Sequence, residues 1–346
     1  MKTAIVLFNL GGPDSLSAVK PFLFNLFNDP AIIRLPWPIR GLLARVISSR
    51  RASVARGIFA HLGGGSPLLA NTSAQAKALA TVLEGAGLGE TQVFIAMRYW
   101  HPMTAEVARA VKAFSPDRVV LLPLYPQFSS TTTASSLIAW TAEADRVGLS
   151  IPTRAVCCYP TAPGFISTVA RIARAAHDEA VEEGQPRVLF SAHGLPKRIV
   201  ATGDPYKWQV EQTAAAIVDA LMVPGLDWVV CYQSRVGPLE WTGPATEDEI
   251  RRAGRDGVPV IVVPIAFVSE HSETLVELDI DYRRLATESG VPSYRRTPTV
   301  SERSEFIGEL AALVRRAVTS STFISSGEVD RKCPSEFSRC ACRMTP

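Results

Sequence analysis

Continuous apolar runs alternate along the chain with segments whose apolar positions recur every three to four residues. Runs over residues 3–10, 91–99, 117–125 and 152–159 predict buried strands in the first half. Runs over 186–193, 227–234, 258–267 and, more weakly, 291–296 predict four more in the second. Helical spacing fills the gaps, over 74–83, 105–114, 165–181, 208–221 and 302–318. Such alternation predicts an α/β fold of two similar domains, each a parallel four-stranded sheet flanked by helices. The expected boundaries are 1–158, 159–318 and a C-terminal extension at 319–346, where periodicity stops and Ser and Thr dominate. That tail cannot build an apolar core of its own, so something else must tie it down if it is ordered.

One segment departs from the pattern. Residues 22–47, FLFNLFNDPAIIRLPWPIRGLLARVI, are rich in Phe, Leu, Ile and Trp but interrupted by charges and three prolines. Two short amphipathic helices packed on the core are one expectation. The other is a partly exposed apolar lip that makes peripheral contact with a membrane surface or meets a greasy ligand. No apolar run reaches the roughly 18 residues a spanning helix needs.

Composition narrows the class. Of 346 residues 47% are hydrophobic and the net charge is only +3, so the charge excess of a nucleic-acid binder is absent and no nucleic acid is expected as partner. Six cysteines occur, and Cys333, Cys340 and Cys342 crowd into the tail. Uneven placement argues against a secreted disulfide framework and for a reduced compartment with a thiolate-bound metal. The N-terminus runs straight into a strand with no small-residue cleavage site, so the expected location is cytoplasmic, with a peripheral station on the inner face of the membrane.

The unusual residues gather at predicted strand ends: NLGGPDS, RYWHP and LYPQFSSTTTASS in the first half, SAHGLP, CYQSRVGPLEW and AFVSEHSE in the second. Open parallel sheets bind ligands outside the carboxyl ends of their strands, so one large cleft between the domains is expected. NLGGPDS lacks the G-x-G-x-x-G spacing and HLGGGSP lacks the Lys of a phosphate loop, so no nucleotide is expected. His193 ends one strand, and the neighbouring strand end supplies His271, Glu273 and Glu277. Imidazole facing carboxylates supports divalent metal binding and proton abstraction near neutral pH. If an α-helix starts near Ser269 or Ser272, Glu270, Glu273 and Glu277 share one face and repel one another. The plainer account of these acids is a solvated face paired with Arg283 or Arg284. Arg98 with Tyr99, and Arg235 with Trp241, suit a flat aromatic ligand carrying carboxylates. His61 and His177 read as structural, the latter on a helix surface.

In order and spacing, NLGGPDSL, HLGGGSPL, MRYWHP, LYPQFSSTTTASS, SAHGLP, CYQSRVGPLEWTGP and PIAFVSEHSETLVELD closely resemble the motifs of the ferrochelatase family. The resemblance covers residues 1 to about 318 and implies two Rossmann-like domains and insertion of ferrous iron, as substrate, into protoporphyrin IX. It makes His193 the proton acceptor and metal ligand, Glu273 its partner carboxylate, and His271 and Glu277 the adjoining polar line. The expected substrate contacts are Arg98, Tyr99, Arg235 and Trp241, with Ser66 of HLGGGSP. A chelatase for coproporphyrin III or a cobalt corrinoid precursor, or a non-catalytic haem or metal carrier, are the rival readings. Many family members carry a 2Fe–2S cluster on a C-terminal extension, which Cys333, Cys340 and Cys342 fit with one further thiolate. Ser130 stands where the animal pattern has that ligand, leaving Cys157 and Cys158; because alternate strand residues face opposite ways, one of them serves, and Cys158 is the expected choice. Cys231, inside a strand, reads as a buried core thiol.

Overall fold

The computed structural model describes residues 1–327 and 331–343; the expected extension therefore includes residues 328–330 and 344–346, outside the described ones. Nine strands occur among the described residues: β1 Lys2–Asn9, β2 Glu90–Met97, β3 Arg118–Pro123, β4 Thr153–Val156, β5 Arg187–His193, β6 Asp227–Gln233, β7 Val260–Pro264, β8 Tyr294–Arg296 and β9 Ile324–Ser325. They form two wholly parallel sheets, ordered β2-β1-β3-β4-β9 and β6-β5-β7-β8. The order of the second sheet repeats the first four positions of the first, so the two halves share one winding. Apolar runs become central strands: β7 is buried throughout and β1 is buried from Ala4 to Phe8, whereas the edge strands β2 and β6 are partly exposed.

The chain clusters into two compact units. Among the described residues, 1–158, 310–327, 331–332 and 341–343 form the first, and 159–309 with 333–340 form the second. The first sheet has five strands where four were expected. Its extra member, β9, comes from the tail and pairs in parallel with β4, Ala155 donating to Phe323 O at 2.7 Å and Cys157 to Ser325 O at 2.8 Å. A two-residue strand has no period of its own, so it shows only through the backbone groups it satisfies.

The apolar segment forms helices Val19–Phe27 and Trp37–Ala60, the second of 24 residues and not short as expected. Pro36 and Pro38 fall at its cap and first turn, where a missing N–H is harmless, so they start the helix instead of breaking it. Val19, Leu23 and Phe59 bury together, while Trp37 is 71% exposed, with Ile39 and Leu42 also in solvent. No described helix is long and apolar enough to cross a membrane. A second correction concerns His177, which is buried and not at the surface. Along helix Pro163–Ala180 the buried positions include Phe165, Val169, Ala173, His177 and Ala180, so His177 lies on the apolar stripe itself.

Candidate active site

Three neighbouring strand ends of the second unit build the site. The register sets His193 of β5 against Gln233 of β6 and Ser191 against Pro264 of β7. His193 Nδ1 lies 2.7 Å from Gly194 O, so Nδ1–H donates to that carbonyl and Nε2 is left facing Glu273 Oε1 at 3.5 Å. Tyr206 OH donates to the carbonyl of His193 at 3.1 Å, fixing the strand end from behind. A Cβ on Gly194 would sit 2.9 Å from Gln233 O and 3.3 Å from the Trp241 ring, so only glycine fits there.

Residues Glu273–Asp281 form a π-helix, not the expected α-helix. Its i→i+5 bonding widens each turn, a rare geometry that is frequent at functional sites. Thr274, Val276 and Leu278 face the interior, and the acids separate to different partners. Glu270 precedes the helix and pairs with Arg296 at 2.7 Å, neither Arg283 nor Arg284 being its partner. Glu277 accepts from Ser234 N at 2.8 Å, Ser234 Oγ at 2.5 Å, Gln233 Nε2 at 3.0 Å and Tyr282 OH at 3.0 Å. Glu273 is left for the histidines, with His271 Nε2 3.4 Å from its Oε2. The carboxylates therefore do not form one solvated stripe.

Glu273 Oε2 and His271 Nε2 are buried and neither makes a hydrogen bond. Two aimed but unsatisfied polar atoms suit a proton or cation between them. Phe267 packs on His271 with ring centroids 4.5 Å apart, and His271 N donates to Thr274 Oγ1 at 3.0 Å, so this imidazole is pinned. The site opens on the other side: the His193 side chain is 40% exposed against 11% for His271.

Burial pulls the His193 imidazole down, but the Glu273 charge and hydrogen bond, with Gly194 O and Glu277, outweigh it and hold its pKa at about 9. Burial pushes Glu273 up, and the two histidines reverse that and hold it well below the usual carboxylate range. Glu277 is raised, by burial first and then by the charge of Glu273. At neutral pH the pair is thus an imidazolium beside a carboxylate, with a reluctant acid behind it.

Of the expected substrate contacts, Arg235 and Trp241 adjoin this site: the Arg235 Cγ and the Trp241 ring crowd the same side of Gly194. The others lie in the first unit. Arg98 pairs with Asp29 at 2.9 Å and donates to Ser135 Oγ at 2.7 Å, and Tyr99 OH donates to Asp29 at 2.8 Å. Tyr99 is 1% exposed, so its ring offers no stacking face in this structure. Ser66 accepts from Leu68 N at 3.3 Å and packs against Gly12. Gln233 and Ser234 were missed, although CYQSRVGPLEW places them at a strand end like the residues that were found. Asp29, Ser135, Tyr206 and Arg296 left no local signal.

The thiols of Cys157, Cys340 and Cys342 lie within 4.8 Å of one another, close enough for a metal to bridge. Cys158, the residue expected from sequence, is not in this group; alternation along the strand end turns its neighbour to the tail instead. Cys333, also on the tail, is buried and accepts from Gln209 Nε2 at 3.1 Å. Cys231 lies in the core beside Thr246 Oγ1, and burial pushes its thiol up to about 12.

A family profile described as Ferrochelatase matches residues 2–318. A ferrochelatase of Caulobacter vibrioides is 53% identical over 343 residues, covering 99% of this chain and 98% of its own. One from Wolbachia pipientis is 50% identical over 313 residues, which is 98% of its length but only 90% of this chain. Among solved structures, SirB from Bacillus subtilis with Fe3+ aligns with a TM-score of 0.54, covering 93% of this chain and 97% of its own at 13% identity, a likeness of fold.

Proposed function

We propose, from the premise that this chain belongs to the ferrochelatase family, that it inserts ferrous iron into protoporphyrin IX to form protohaem, with His193 and Glu273 exchanging protons for metal. The observation that carries this reading is a carboxylate set between two imidazoles at 3.5 and 3.4 Å, its Oε2 buried and the His193 side open to solvent. Metal insertion must discharge two pyrrole protons as a dication enters. His193 Nε2 holds a proton in the resting pair, and an arriving dication favours its loss, so metal and proton trade places at one nitrogen. Once the iron has left Nε2 for the porphyrin, that nitrogen is free to accept one pyrrole proton, and the second pyrrole proton leaves to solvent. Glu277, whose proton affinity is raised, lies next along the π-helix and accepts protons from the Glu273 pair. Imidazole with carboxylate holds Fe²⁺ without the grip of thiolates, so the metal can be passed on. Anaerobic incubation with ferrous iron and protoporphyrin should give the haem absorbance, and no haem above the protein-free rate would end the reading. The same assay with coproporphyrin III decides which porphyrin is preferred.

The exposed Trp37, Ile39 and Leu42 support a peripheral membrane station for a cytoplasmic protein. Purified protein should float with phospholipid vesicles and leave them without detergent, and Trp37→Ser with Leu42→Ser should reduce flotation. Flotation by neither form at any salt concentration removes the membrane reading.

The tail thiols support a 2Fe–2S cluster, because three sulfurs, those of buried Cys157 and Cys340 and half-buried Cys342, converge within 4.8 Å and a fourth cysteine, Cys333, lies on the same tail. When bound, such a cluster would carry one electron. Cys157, Cys340, Cys342 and Cys333 would hold it, Cys157 replacing Cys158. Fresh protein should be reddish with two irons per chain. Cys157→Ser should lose the colour while Cys158→Ser and Cys231→Ser keep it; a colourless protein with one zinc would overturn the cluster.

A further inference from the structure

The segment that carries His271, Glu273 and Glu277 is held near both ends by a single side chain. Arg296, the last residue of β8, is 8% exposed. Its Nη1 donates to Glu270 Oε1 at 2.7 Å, just before the π-helix, and its Nε donates to Asp279 Oδ1 at 3.0 Å inside it. A second contact, from Nη2 to Asp279 Oδ2, makes the Asp279 grip bidentate. Glu270 also accepts from Thr299 N at 2.8 Å, and Tyr294 OH donates to Leu278 O at 2.8 Å. The end of β8 thus fastens the functional segment at three points.

Such fastening has a physical reason. The π-form is rare, so nine consecutive residues in it need outside support. Returning to i→i+4 bonding would rotate each following residue and carry Glu273 and Glu277 away from their partners. A buried ion pair contributes little net stability, and its best-attested use is to specify one arrangement over its rivals. Only a guanidinium, with donors in a rigid fork, can hold two carboxylates in fixed directions at once.

We infer that Arg296 is a positioning residue for metal insertion: by gripping Glu270 and Asp279 together, it holds the widened helix and so the placement of Glu273 between His193 and His271. This rests on the function proposed above. Arg296 touches no reacting atom and acts through the acids it holds.

Arg296→Gln should lower kcat about tenfold or more, since misplacement by about 1 Å can cost roughly 10²-fold, while KM for the porphyrin stays within about twofold. Amide hydrogen exchange over 273–281 should accelerate, with β5 and β6 unchanged. Arg296→Lys should recover part of the rate, because an ammonium holds one acid but does not fork to both. Glu270→Gln and Asp279→Asn should each cost less than Arg296→Gln, and adding Asp279→Asn to Arg296→Gln should cost nothing further. Arg296→Gln with kcat above half of wild type, or with unchanged exchange over 273–281, overturns the inference. If that variant does not fold, the two acid variants decide: wild-type kcat and exchange in both would overturn it. If the wild-type protein inserts no iron, the functional reading fails by itself, and the exchange measurement still shows whether Arg296 holds the segment.

Discussion

His193→Ala is expected to cut the rate of iron insertion about 10²-fold or more, the usual consequence of removing a general base, while the porphyrin still binds. The imidazole is more exposed than Glu273 or His271, and its Nε2, with Nδ1 committed to Gly194 O, faces Glu273. Truncation leaves Gly194, Arg235 and Trp241 beside it in place, so that wall keeps its shape. Initial rates of haem formation, set against porphyrin fluorescence quenching, separate the two effects. A variant that keeps more than about a tenth of the wild-type rate would remove His193 from the chemistry.

Glu273→Gln should be nearly as damaging, and for a related reason. Glutamine preserves the shape but neither carries the charge nor takes a proton at neutral pH. The Glu273 charge is what lifts His193 to about 9 against the downward pull of burial. Without it the imidazole loses its proton at lower pH, so the rising limb of the residual pH–rate profile should move down the pH scale. Glu277→Gln should behave differently, because its carboxylate sits among four donors and faces Glu273 only through its charge. Its main effect should be on the iron concentration needed for half-maximal rate. Equal and mild losses at both positions would remove both acids from the chemistry.

Much of this was legible before any coordinates, and the reasons are specific. The strands β1, β3, β5 and β7 are continuous apolar runs, which only a sheet covered on both faces makes favourable. His193 and His271 then follow from the rule that ligands meet parallel strands at their carboxyl ends. What stayed hidden had no local signature. The π-helix buries Thr274, Val276 and Leu278, a spacing of two that announces no helix at all. Arg296 ends a three-residue strand, and nothing nearby in sequence shows that its partners lie at 270 and 279. The choice between Cys157 and Cys158 depends on the phase of a strand end, which alternation limits to one residue without saying which. His177 was misjudged against a signal that was present, since it continues the stripe of Phe165, Val169 and Ala173.

The pairing of β9 with β4 bears on how the protein is made. Residues 1–158 leave the ribosome first, yet their sheet lacks its outer strand until residues 324–325 have emerged. The second unit, apart from 333–340, is contiguous in sequence and has its four strands complete by Arg296. N-terminal domains ordinarily finish folding first during synthesis. Here the order of completion is reversed: the half that starts the chain waits for the half that ends it. Until then β4 presents an unpaired edge, the kind of surface that recruits stray strands. Premature termination anywhere before the tail should therefore mark the nascent chain by its oldest part, not its newest.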